Sequence, residues 1–249
     1  MTGIFGRALI ATIVAAALAT SVADAGQAVA LKPSPAIRRG VAAFPRLVAK
    51  PGDEVATRIN RALKKADDVA VEGMCKDYSR QVRVTMRGPR YLSLLASDSW
   101  YCGGAYPDSS ERALVYDLAT GAPADWKKML SAALIETAAT SPGGGDGDPV
   151  LVTSSTLWNL YAKRAQPGNK ACADVFADAT TIGTGLMVWL DAKADGLGLQ
   201  AWDWPHVVKA CAAPITVATA ELRRLGVQAA FLDAIDEAHR RGWYDKPTK

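Results

Sequence analysis

From Asp53 onward, apolar residues return every three or four positions: Val55, Ile59, Ala62, Leu63 and Ala66. That spacing predicts an amphipathic helix, with Asp53 placed to cap it and Asn60 off the apolar stripe. The period then falls to two. Gln81 to Met86 alternates, with Val82, Val84 and Met86 on one face and Arg83 and Thr85 on the other. Gly88-Pro89 interrupts the run, and Tyr91 to Ala96 follows as a more apolar strand, which predicts a hairpin. Arg112 to Leu118 alternates again, setting Ala113, Val115 and Asp117 against Leu114, Tyr116 and Leu118. Ala119-Thr120-Gly121 reads as a turn. Asp125 then caps a helix with the stripe Trp126, Met129, Leu130, Ala133 and Leu134.

The second half repeats no earlier segment. Ser141 to Pro149 (SPGGGDGDP) is a loop by composition. Ser154 or Ser155 begins a helix carrying Leu157, Leu160, Tyr161 and Arg164, and Cys172, Val175 and Phe176 mark another. Leu186 to Leu190 (LMVWL) reads as a buried strand, and Leu197 and Leu199 alternate in the next. Asp203-Trp204-Pro205 opens a short helical turn that ends near Cys211. Ile215 to Ala218 is a last strand. Thr219 caps a helix closed by Gly226, and Phe231, Leu232, Ile235 and Ala238 stripe the final one. Strands in hairpin order followed by helices predict an α+β fold: a mainly antiparallel sheet with helices packed on one side.

The N-terminus changes the picture of where this fold resides. Met1 to Arg7 carries one positive charge, Ala8 to Thr20 is apolar but too short for a bilayer, and Ala23-Asp24-Ala25 fits a cleavage site. We read residues 1–25 as a signal peptide, 26–43 as a flexible leader and 44–249 as one domain. The expected location is periplasmic or secreted, in a bacterium, with no membrane span after signal cleavage. An exported chain meets oxidising conditions, so Cys75, Cys102, Cys172 and Cys211 are expected as two disulfides. Of the three pairings, Cys75–Cys102 and Cys172–Cys211 are favoured, because each pair flanks its own cluster of predicted elements. No C-x-x-C spacing occurs and there are two histidines, so no metal site is expected. Net charge is +4, mildly basic, and no basic run carries interleaved aromatics; nucleic acid is not an expected partner.

Candidate chemistry is sparse. Gly103-Gly104 sits behind Cys102, between a strand and a loop, where bare backbone permits a tight corner or the close approach of a ligand. Ala105 and Tyr106 follow, and an amphipathic ring in a loop suits an interface. Asp117 ends a strand before Gly121; it either caps the turn or serves as a carboxylate that needs a partner. His206 follows Pro205 at a helix start and is a candidate base, while His239, beside Arg240 and Arg241, reads as surface. The run Asp191, Lys193, Asp195, Gly196 resembles a calcium loop but fails at Lys193 and at Trp202, where an acid is required. The single Gly145-Asp146-Gly147-Asp148 run is too short to supply ligands. No nucleophile motif or phosphate loop is present. No catalytic constellation assembles and no cofactor is expected.

The stretch GGAYPDSSERALVYDLATGAPADWKKML, from Gly103 to Leu130, resembles a motif of the extracytoplasmic domain of unknown function shared by RsiV-like anti-sigma factors and PdaC-like deacetylases. Phe44-Pro45 with Ile59-Asn60, and Gly196-Leu197 with Pro205-His206-Val207 and Cys211, are similar to other parts of that domain. Tyr106 stands where histidine is common. The resemblance implies an extracytoplasmic domain, corresponding here to that domain alone, and a lysozyme-like protein as one class of partner. The resulting expectation is a non-catalytic binding or sensing module for a cell-wall-related ligand, either a peptidoglycan fragment or a lysozyme-like enzyme. Gly103, Gly104, Ala105, Tyr106, Asp117 and His206 are its candidate contacts. Trp100, Trp158, Trp189, Trp202, Trp204 and Trp243 are further candidates to line a glycan site. The alternatives are an envelope polysaccharide hydrolase using Asp117 with His206 or another carboxylate, and a structural envelope protein with no specific ligand.

Overall fold

The computed structural model describes residues 26–71, 75, 77–140, 149–166, 168–178 and 185–245. The expected signal peptide and residues 141–148 of the glycine-rich loop, with Asp146 and Asp148, lie outside the described residues. The fold is α+β and every strand pairing between named strands is antiparallel. Strands β1 (Leu31–Lys32) and β2 (Arg46–Leu47) form a small ribbon. Strands β3 (Asp77–Arg87), β4 (Tyr91–Tyr101) and β5 (Asp108–Asp117) form a three-stranded meander. A second sheet has the order β10-β9-β8-β7-β6, from β6 (Thr137–Thr140), β7 (Val150–Thr153), β8 (Leu186–Asp191), β9 (Gly196–Ala201) and β10 (Ile215–Ala218). Strand β8 touches all three strands of the meander, so it runs across them.

Helix α1 (Glu54–Val71) covers the other face of the meander. Its stripe of Ile59, Leu63 and Ala66 packs with Phe44, Leu92, Leu94, Leu114 and Tyr116 in one core. Asp53 Oδ1 accepts from the Ala56 amide, as its capping position predicts. Asn60 leaves the stripe to hold Leu47 of β2 by both its amide and carbonyl. The larger core lies on the opposite face of the meander. It gathers Leu95, Ala113 and Val115 with Leu186, Val188, Leu190, Leu197 and Leu199, and with side chains of every remaining helix. Those helices are α2 (Trp126–Leu130), α3 (Ser155–Arg164), α4 (Lys170–Ala177), α5 (Thr219–Arg224), α6 (Ala229–Arg241) and a 3₁₀ helix, His206–Cys211. Among the described residues, no helix is long and apolar enough to cross a membrane.

Three local readings need correction. Val82 and Val84 face the α1 core but Met86 faces the larger one, because Thr85 is the extra residue of a β-bulge. A strict period of two cannot register an inserted residue. The Thr85 hydroxyl is satisfied inside, donating to Ser93 Oγ at 2.8 Å, which also accepts from the Leu190 amide. Helix α2 stops at Leu130, before Ala133 and Leu134, where Ser131 takes φ 71°. Thr219 is the first residue of α5 rather than its cap, and its hydroxyl donates to Asp195 Oδ2.

Residues 26–43, read as a flexible leader, are docked. Val29 N donates to Arg87 O, and Arg80 exchanges backbone hydrogen bonds with Gly40 and Ala42. From the other terminus, Asp245 N donates to Val84 O and Arg87 N to Trp243 O. Both segments cover the edge of β3, whose unpaired amides and carbonyls would otherwise stand open. Beneath them lies a buried ionic network. Arg80, 0% exposed, donates from Nε to Asp98 Oδ1 at 2.6 Å and lies 3.6 Å from Asp67, which also accepts from Arg46. Burial, with the hydrogen bond to Asp98 adding to it, pushes the Tyr78 hydroxyl up to about 12.

Candidate functional site

The meander face that packs on β8 through Leu95 and Ala113 turns polar toward the far end of the hairpin. The register sets two rows across three strands, Gln81–Ser97–Glu111 and Ser79–Ser99–Ser109. Short side chains leave the space between the sheets unfilled there. The two rows, with Met187 of β8, Gln200 of β9, and Trp202 and Trp204 beyond it, enclose a cleft of about 390 Å³. Ser97 Oγ donates to the Glu111 carboxylate, 2.9 and 2.8 Å from its two oxygens. Burial pushes the Glu111 carboxyl above the usual range, while that hydrogen bond and the Arg83 charge oppose the shift. Gln200 Nε2 donates to Ala212 O, and its Oε1 has no protein partner among the described residues.

Trp204 is 2% exposed and fixed among Trp158 and Phe176, with ring centroids 5.9 and 5.2 Å away. Trp202 is only half-buried and presents a wall to the cleft. Trp158 and Trp189, also candidates for a glycan site, belong to the core.

The 3₁₀ helix forms one rim. Lys209 Nζ donates to Ser109 O at 2.8 Å and to the Asp108 carboxylate, and lies 6.0 Å from the Trp100 ring centre. The hydrogen bond from Lys209 holds the Asp108 carboxyl below its ordinary value, with the Ser109 amide adding to it. Pro205 starts this helix and its neighbour His206 stacks on Tyr106, with centroids 5.5 Å apart and an interplanar angle of 20°. Gly103 and Gly104 take φ 82° and 145°, a corner that only glycine enters without strain. Tyr101 Oη donates to Gly104 O across that corner, and Ala105 is exposed. Tyr106 (72% exposed), beside this corner, and Val207 (88%), next to His206 in the chain, are with Tyr101 the exposed large apolar side chains of this end.

The structure therefore brings Gly103, Gly104, Ala105, Tyr106 and His206 together and leaves Asp117 apart. Asp117 closes β5 at the end opposite Asp108, nine residues away, roughly 30 Å along an extended strand. Its carboxylate accepts from the Ala119 amide and from Arg90, the turn-capping role. It cannot act with His206. Asp108 does approach His206, but at 3.8 Å, and it is already engaged by Lys209 and the Ser109 amide. Both disulfides brace this end: Cys75–Cys102 below the glycine corner and Cys172–Cys211 between α4 and the 3₁₀ helix, with Cα separations of 4.8 and 5.3 Å. No cluster of metal-ligating side chains occurs among the described residues.

The serine rows are what the sequence reading missed. The strands were expected to start and stop within their apolar stretches, leaving Ser79, Ser97, Ser99 and Ser109 outside them. The signal was present as Ser97-x-Ser99 and Ser109-x-Glu111, a period of two continued in polar residues.

No protein-family model and no curated protein matches the chain. Among solved structures, it is similar to a crystal structure of a member of the DUF3298 family from Bacteroides fragilis. The identity is 15% and the TM-score 0.39, over 74% of this chain and 68% of that one. A likeness at that distance carries no conclusion about function.

Proposed function

We propose that this chain is a non-catalytic, periplasmic or secreted binding module whose cleft takes a saccharide segment of the bacterial cell wall. The observation that carries the reading is the pair of hydroxyl-bearing rows facing Trp202. Serine hydroxyls both donate and accept, as sugar hydroxyls do, and an indole face suits the apolar face of a pyranose ring. Small pockets of this kind gain orientation from a few placed polar groups, here Glu111 and Gln200. The paired disulfides and the signal-like N-terminus support export. The resemblance to the RsiV-like and PdaC-like domain supports a wall-related role. A second reading, a lysozyme-like protein as partner, draws on the exposed side chains of Tyr101, Tyr106 and Val207.

The test is co-sedimentation of the purified chain with insoluble peptidoglycan, beside capture by a panel of lysozymes, each at low and high salt. The proposal expects sedimentation that survives high salt, falls at least tenfold in Trp202→Ala and is unchanged in Tyr106→Ala. Salt-resistant capture by lysozyme that is lost in Tyr106→Ala would favour the second reading. Binding abolished by modest salt would reduce the interaction to charge alone. Release of soluble sugar that stops in Glu111→Gln would overturn the non-catalytic assignment.

A further inference from the structure

We propose that the cleft is one half of a longer groove, and that the groove holds a linear saccharide bearing carboxylates. This rests on the saccharide reading of the cleft and names the class of chain that would occupy it. A second cavity of about 990 Å³ lies along the same boundary between the sheets. Gln81 lines both cavities, so the two border one another at this residue. Arg83 follows on the same face of β3, about 7 Å further along the strand. The second cavity alone reaches the upper end of the ~300–1,000 Å³ typical of small-ligand pockets. The two in series suit a chain of rings, not one ring.

The two halves differ in charge chemistry. The cleft carries five serine hydroxyls together with Asp98, Glu111, Asp203 and Lys209, of which Asp98 is paired with Arg80 and Lys209 with Asp108. In the second half the acids are engaged by their own chain. Asp191 accepts from the Ala194 amide and the Thr216 hydroxyl, and Asp245 accepts from the Val84 amide. The cations reach outward, although Arg83 also stands near enough to Glu111 for its charge to act on that carboxyl. Arg83 and Lys193 are both exposed, and neither forms an ion pair among the described residues. Two exposed cations in the second half, in series with the serine hydroxyls of the cleft, match a polyhydroxylated chain with periodic carboxylates, as in uronic-acid polymers or lactyl-substituted amino sugars.

Calorimetric titration of the full chain tests this with four probes: a hexameric oligouronate, its trimer, a neutral N-acetylglucosamine hexamer and its trimer. The expected result is that the hexauronate binds more tightly than its trimer and than the neutral hexamer. Arg83→Gln and Lys193→Gln should each weaken it roughly fivefold, the upper end for an exposed ion pair, and leave the neutral hexamer unaffected. Both side chains are exposed, so neither variant threatens folding. Equal affinity for trimer and hexamer, or hexauronate binding indifferent to both substitutions, overturns the groove. In that event neutral-oligomer binding that is lost in Trp202→Ala shows that the cleft reading still holds. No binding of any probe by the wild-type chain overturns both.

Discussion

Glu111 is half-buried at the head of the cleft, with Ser97 donating to it and Arg83 and Asp98 as its charged neighbours. Because its pKa is raised on folding, the native state holds a proton that the unfolded chain has already released. Its contribution therefore favours folding at pH below the ordinary glutamate value and is lost as pH rises through the raised one. Glu111→Gln removes that dependence. Denaturant titrations from pH 4 to 8 should show the variant gaining stability relative to wild type as pH rises, then a constant difference. A difference that is flat across the range would show that burial does not perturb this carboxyl. Asp108 shifts the opposite way and is common to both chains, so it cancels in the comparison. Neither residue's role was visible in the sequence. Burial of Glu111 follows from the crossing of β8 over the meander, a non-local arrangement that a local period cannot encode.

At the scale of elements, the 3₁₀ helix carries Lys209 to the cleft and His206 to the rim, and it has no capping side chain of its own. Cys172–Cys211 ties its last residue to α4, closing a loop of 39 residues. In the chain-entropy account such a crosslink stabilises by about 4 kcal/mol. The double variant Cys172→Ser/Cys211→Ser should lose a comparable amount in denaturant titration and should bind peptidoglycan more weakly even where it is fully folded. Unchanged binding by the folded variant would mean the 3₁₀ helix holds its place without the crosslink. Both pairings were legible, because each cysteine pair brackets its own cluster of elements. The helices with clean 3.6-residue stripes, α1 and α6, were legible for the same reason: their patterns are local. Helix α2 was overextended because its apolar stripe continues through Leu134 although the chain turns at Ser131. Strand β9 shows another non-local cause. Trp189 lies directly across from Gly198, and a Cβ there would stand 1.9 Å from the indole. The sequence shows Leu197 and Leu199 alternating, but nothing in it states that the intervening glycine makes room for a ring from β8.

For the whole molecule, the two sheets meet where both are apolar and part where the meander turns to serine. That divergence produces the cleft on which the proposed binding role rests. It also explains the division among the expected contacts. Gly103 to Tyr106 and His206 lie at the rim because β4 and β5 are long enough to extend past β8. Asp117 is excluded because it closes the same strand at its far end. The most direct test is chemical-shift mapping of the isotopically labelled chain titrated with a soluble peptidoglycan glycan fragment. Perturbations are expected at the amides of Ser97, Ser99, Ser109 and Glu111 and at the indole N–H of Trp202, with the Asp117 turn unmoved. Perturbations confined to Tyr101, Tyr106 and Val207, or none at saturating fragment, would contradict the binding role proposed for the cleft.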